Sequence, residues 1–337
     1  MRYIFILLFL PFRLYSADLA FVGDINFTGF VGEKIAEHGY KWPFYYVREE
    51  LRSADYTVGN LESPAGVGGA KFCDKKVYFK ANPDTLDALL DAGFDMVSLA
   101  NNHALDYGPD ILRQTMEGLD RRGIKYIGLR NDSKSPYVPT IVHVKGLKLA
   151  FLGYCNACMT EFGPTPDHMG VNAGMSQTIK AQVRRLRREQ KPDFIIALVH
   201  WGKEYHGVDA NQRYTQKAFL DAGVDVIIGS HPHVLQLIEQ DKHRFGNPLT
   251  AFSLGNFLFP MRWQISLSSV ILHVSLTVDK FNEKHIKYEY TFIDLHDKRP
   301  SQTFPNGIKD IARMDYVLQK GYEYGGVRTW PVNELLQ

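Results

Sequence analysis

The sequence predicts a layered α/β fold on a largely parallel or mixed sheet, and three observations point there. Short runs that are apolar at nearly every position recur at 19–22, 96–99, 147–152, 194–199, 224–228 and 249–254, as expected of strands buried on both faces. Segments with helical spacing lie between them at 85–92, 111–122, 178–190 and 212–222. Beyond Ser269 the pattern changes to two long β-rich stretches, at 270–278 and 286–293, which read as an antiparallel addition.

In chain order, Arg2 precedes an unbroken apolar run at 3–10, followed by Pro11 and the small residue Ser16. That run is far shorter than the ~20 apolar residues that span a bilayer, and its layout predicts a cleavable secretory signal over 1–16. Export to the periplasm or the extracellular space follows from it, with membrane attachment only through an uncleaved N-terminus. The first strand comes next. The helix at 85–92 ends at Gly93, where a left-handed cap costs least, and Asp95 leads into the strand at 96–99. After the helix at 111–122 the alternation repeats through 147–152, 178–190 and 194–199. The helix at 212–222 again ends at a glycine, Gly223, before the strand at 224–228. One domain is expected over 17–300, with the residues from 301 to 337 forming an extension that packs on it.

At 45% hydrophobic and 23% charged residues the chain carries enough apolar material for a sizeable core. Without Arg2 and Arg13 of the signal, 37 basic residues face 37 acidic ones, so no basic excess for nucleic acid exists. The run Arg184-Arg185-Leu186-Arg187-Arg188 reads as the wet face of a helix. Cys155 and Cys158 form Cys-x-x-Cys with no second such pair, which fits a local disulfide, a redox pair or a pairing of one of them with Cys73 better than a structural zinc site.

The chemistry-bearing residues follow the apolar runs. The first leads into Gly23-Asp24-Ile25-Asn26; 56–58 leads into Gly59-Asn60-Leu61-Glu62; 96–100 leads into Asn101-Asn102-His103. Further on, 194–199 ends at His200, 224–230 at His231-Pro232-His233, and 249–254 at Gly255-Asn256. Ligand sites of open α/β sheets lie at the carboxyl ends of the strands, so these six loops are expected to converge on one crevice. Imidazole, carboxylate and amide oxygen together suit Zn, Mn or Fe better than calcium. Residues 91–103 also parallel 221–233 (helix end, glycine, aspartate, strand, polar cluster), which predicts that His103 and His233 reach the same sheet edge.

These blocks resemble the CapA/PgsA family of poly-γ-glutamate capsule biosynthesis proteins, within the calcineurin-like metallophosphoesterase superfamily. The match runs from Gly23-Asp24 through Asn60-Leu61-Glu62, Asn101-Asn102-His103 with Asp106, and His200-Trp201-Gly202-Lys203-Glu204, to His231-Pro232-His233 and Asn256. The resemblance implies a four-layer α/β/β/α sandwich with a site for one or two ions. Asp24, Asn102, His200, His231 and His233 would be ligands; His103, oriented by Asp106, would serve the leaving group. Two positions depart from the superfamily pattern: Asn26 stands in place of a histidine and Asn60 in place of a bridging aspartate, and Glu62 is the carboxylate available to replace the bridge. Asn26, Asn60, Asn101, Glu204 and Asn256 would surround the ligands or meet substrate. The implied function is hydrolysis of a phosphoester or γ-glutamyl bond in capsule metabolism, with an anionic polymer and other capsule or envelope machinery as partners. The competing expectation is a non-catalytic factor for assembly or export of that polymer.

Overall fold

The computed structural model describes residues 14–302 apart from 135–136, 159, 174–175, 261–265 and 296–298. The expected signal and the C-terminal extension therefore lie almost wholly outside the described residues. The chain runs through β1 (Tyr15–Ile25), α1 (Gly29–His38), α2 (Arg48–Ser53), β2 (Tyr56–Leu61), α3 (Asp87–Ala92), β3 (Met96–Ser98) and α4 (Gly108–Asp120). It continues through β4 (Lys125–Ile127), β5 (Leu129–Arg130), β6 (Thr140–Val144), β7 (Leu147–Cys155), β8 (Gly170–Val171), α5 (Ser176–Glu189), β9 (Phe194–His200) and α6 (Ala210–Ala222). The rest is β10 (Val226–Ser230), β11 (Ile238–Gln240), β12 (Leu249–Ala251), β13 (Asn256–Leu258), β14 (Ser268–Val278) and β15 (Lys284–Asp294).

Two sheets face each other. The first has the order β15-β14-β1-β2-β3-β4, with β13 also pairing β1; the second has the order β11-β12-β10-β9-β7-β6. Strand pleating sends successive side chains to opposite faces, and β1 uses both. Ala20 and Val22 join Val31, Ile35, Leu51, Leu89 and Leu112 in a core beneath α1–α4. Leu19 and Phe21 turn inward to meet Leu149, Phe151, Ile196 and Ile228 of the second sheet. On the outer face of that sheet, Ile195, Ala197 and Ile227 pack against Ile179 and Val183 of α5 and Phe219 of α6. Three cores separate four layers, so the α/β/β/α sandwich implied by the resemblance is the observed architecture. The stretches beyond Ser269 form the expected antiparallel addition, β14 pairing with both β1 and β15.

Register brings the polar loops together. β1 pairs with β14 as far as Phe21 and changes partner at Asp24, which lies opposite Asn60 on β2 and Asn256 on β13. In the second sheet Ser230 lies opposite His200. The change of partner needs Gly23, since a Cβ there would stand 1.9 Å from the carbonyl oxygen of Gly255.

Three readings are refined. The 91–103 and 221–233 units do share a design, each with a left-handed glycine cap (Gly93, φ 83°; Gly223, φ 97°) before its strand. They do not share a sheet edge, however: β3 belongs to the first sheet and β10 to the second, and the two edges meet because the sheets are stacked. Arg187 is not part of a wet face but pairs with buried Asp225 and donates to the Gly223 carbonyl at 2.9 Å. Cys155 and Cys158 form the local disulfide, and Cys73 is free. No helix of the described residues is long and apolar enough to cross a membrane.

Candidate metal centre

Glu62 is the hub. It follows β2 directly, its amide donating to the carbonyl of Ile25 at 2.8 Å, and its side chain is fully buried. Neither carboxylate oxygen accepts a hydrogen bond. Three imidazole Nε2 atoms instead surround Oε1: His103 at 3.9 Å, His200 at 3.8 Å and His233 at 3.8 Å. Those separations are too long for hydrogen bonds, whereas two donors each about 2.1 Å from one ion stand roughly 3 to 4 Å apart. An unpaired buried carboxylate costs several kcal/mol in an apolar interior, so this arrangement fits a cation as the missing partner.

The remaining groups are held in place by neighbours. Asp24 accepts from Asn60 Nδ2 at 2.7 Å through Oδ1 and from the His231 amide at 3.2 Å through Oδ2. His233 Nδ1 lies 2.8 Å from Asn256 Oδ1 and 3.4 Å from Asp24 Oδ2, which leaves Nε2 facing Glu62. His200 bonds Ser230 Oγ through Nδ1 at 3.0 Å and Asn102 Oδ1 through Nε2 at 2.9 Å. The Nδ1 of His231 is buried with no partner. Two sets of convergent ligand atoms result, Glu62–His231–His233 and Asp24–Glu62–His200, and Glu62 belongs to both. Backbone strain supports this convergence, because His231 (φ 96°) and His233 (φ 57°) both adopt left-handed conformations that favour glycine.

The electrostatics point the same way. Burial, reinforced by Asp24, pushes Glu62 well above the ordinary carboxylate range. Burial works against charge on His233 too, but Glu62 and Asp24 outweigh it and raise His233 to about 10. Burial and the neighbouring His233 lower His231 to about 3, and burial together with His231 holds His200 well below the histidine range. The lowered His231 and His200 favour neutral imidazole, the form that binds a metal ion.

His103 sits at the rim. Its Nδ1 lies 2.7 Å from Asp106 Oδ2, and the Phe79 ring tilts over it with centroids 4.0 Å apart. Asp106 also accepts from the Phe79 amide at 2.6 Å. Burial lowers His103 although Asp106 draws it back up.

Among the other sequence candidates, Asn101 is a frame residue that donates to the Leu61 carbonyl at 2.8 Å and accepts the His103 amide at 3.1 Å. Asn26 is buried but turned to Thr28, whose amide and hydroxyl bond its Oδ1 at 2.9 and 2.7 Å, so it offers no ligand atom to the cluster. Glu204 is exposed and stands outside both ligand sets. Sequence reading missed Lys75. Its ammonium lies 2.6 Å from Asp106 Oδ1, 2.6 Å from the Asn102 carbonyl and 3.2 Å from His103 Nδ1. It therefore ties a candidate ligand residue to the His103–Asp106 pair.

The family described as bacterial capsule synthesis protein PGA_cap matches residues 18–261. The PGA biosynthesis protein CapA of Bacillus subtilis is 28% identical over 306 residues, covering 88% of this chain and 77% of that protein. The capsule biosynthesis protein CapA of Bacillus anthracis is 30% identical over 264 residues, covering 77% of this chain and 63% of its relative. Among solved structures, a phosphatase from Mycoplasma pneumoniae is similar at a TM-score of 0.49 and 15% identity, covering 84% of this chain and 95% of that one.

Proposed function

The chain belongs to the bacterial capsule synthesis protein PGA_cap family, and from that premise we propose that it is an exported, metal-dependent hydrolase of capsule metabolism. Its bond would be a phosphoester or a γ-glutamyl amide of an anionic polymer, handled in the periplasm or outside the cell beside other envelope machinery. One observation carries the reading: the unpaired Glu62 carboxylate encircled by imidazoles.

Asp24, Glu62, His200, His231 and His233, with Asn102 beside them, would hold one or two ions of Mn, Zn or Fe. A bound divalent ion supplies Lewis-acid polarisation of the scissile group and makes hydroxide available near neutral pH. The chain's own residues do the rest. Asn256 and Ser230 fix the ring orientations of His233 and His200, as groups behind metal-binding imidazoles do. Asp106 holds His103 through Nδ1, so that its Nε2 faces the centre and can pass a proton to a leaving group. Phe79 and Phe259 wall His103 and His233 from bulk water.

A second reading, a non-catalytic assembly or export factor, draws on Asn60, which meets Asp24 with a hydrogen-bond donor where the superfamily pattern has a carboxylate. Metal analysis and hydrolysis assays on the full chain separate the two, with poly-γ-glutamate and a chromogenic phosphodiester as substrates. Uptake of Mn or Zn with turnover of one substrate is expected, and His233→Ala should abolish both. Metal uptake without turnover of either substrate favours the assembly factor. A chain that takes up no metal contradicts the metal-dependent hydrolase.

A further inference from the structure

The loop between β2 and α3 walls the centre: the Phe79 ring tilts over His103, Lys75 bonds Asp106, and the Phe72 amide donates to the Asp106 carbonyl at 3.0 Å. The sequence Lys71-Phe72-Cys73-Asp74-Lys75-Lys76-Val77-Tyr78-Phe79-Lys80 concentrates four lysines there against one acid. Asp106 neutralises Lys75, but among the described residues no carboxylate is ion-paired with Lys71, Lys76 or Lys80. Two of these ammonium groups are fixed over aromatic rings, Lys71 4.3 Å from the centroid of Tyr78 and Lys80 4.1 Å from that of Tyr107. The two rings are neighbours, 6.2 Å apart, and Tyr107 directly follows Asp106. Lys80 also donates to the Gly68 carbonyl at 2.5 Å. A chain whose net charge is only +2 thus gathers uncompensated positive charge on a tyrosine platform one residue from the His103–Asp106 pair.

We propose that Lys71 and Lys80, seated on Tyr78 and Tyr107, together with the exposed Lys76 of the same loop form a shelf that binds a polycarboxylate chain and feeds it past the metal centre. The proposal rests on the reading of the site as one that handles an anionic polymer. Ordered ammonium groups lose less freedom on meeting carboxylates than free surface lysines do, and the ring faces offer apolar contact to the methylenes between them.

The test is binding of fluorescein-labelled poly-γ-glutamate to the metal-loaded full chain, by anisotropy at low and at physiological salt. Lys71→Gln, Lys76→Gln and Lys80→Gln combined should weaken binding about tenfold and flatten its salt dependence. A control combining Lys134→Gln, Lys242→Gln and Lys287→Gln, exposed lysines elsewhere, should stay within about twofold of wild type. Equal loss in both triple variants, wild-type affinity in the shelf variant, or no salt-dependent binding by wild type would each overturn the shelf. Metal content of the same samples reports on the centre separately, so failure of the shelf is distinguishable from failure of the proposed hydrolase.

Discussion

Lys75 places an ammonium within bonding distance of Asp106 Oδ1, the Asn102 carbonyl and the His103 ring, with only 13% of its side chain exposed. Removing one member of a buried ion pair leaves the other charge uncompensated, which costs more than the pair itself contributes. Asp106 keeps the His103 ring and the Phe79 amide, so the loss should be partial. Lys75→Met is expected to destabilise the chain by about 2–3 kcal/mol in thermal denaturation; a change under about 0.5 kcal/mol, the size of an ordinary surface substitution, would show the contact to be incidental. Nothing in the sequence singles out this lysine. It stands 31 residues before Asp106, among three others of its kind, and only the fold tells the inward one from the outward ones. The histidines were legible for the opposite reason, since His200, His231 and His233 each end an apolar run.

Elements read from the sequence are those whose burial leaves a pattern. β9 is buried at every position and α6 ends at a glycine C-cap, so both announce themselves, whereas the capping box at Asp209 that starts α6 went unread. Helix α1 buries only Val31 and Ile35, α2 is six residues with Leu51 alone buried, and β4, β5, β8 and β11 are two or three residues long. Segments so short hold their shape through neighbours, and no periodicity reports them. On β10 the chain meets a tighter constraint. A Cβ at Gly229 would stand 1.9 Å from the Phe252 carbonyl oxygen and 2.5 Å from Trp201 Nε1. Backbone cannot yield as a flexible side chain does, and His231 and His233 follow two and four residues later. Gly229→Ala is expected to cost about 3 kcal/mol in chemical denaturation and to weaken metal binding with it. Wild-type stability in that variant would mean that the strand end has slack.

At the scale of the molecule, the sandwich converts two sheets into one site. A single sheet edge would carry Asp24 and Glu62, or His200 and His233, but not both pairs. Stacking brings β1–β3 and β9–β10 together at their carboxyl ends, with Phe21, Val58 and Ile196 closing the core beneath. The strand ends and their chemistry could be read locally, whereas the division into two sheets depends on pairing between distant segments, which a linear pattern does not record. The whole design converges on Glu62, the group shared by both ligand sets and left without a hydrogen bond. Glu62→Gln keeps the side-chain shape and removes the charge, so equilibrium dialysis of wild type and this variant against Mn and Zn tests the centre most directly. Wild type is expected to bind at least one ion and the variant to lose at least tenfold in affinity; equal affinity and stoichiometry in the two would contradict a metal centre built around this carboxylate.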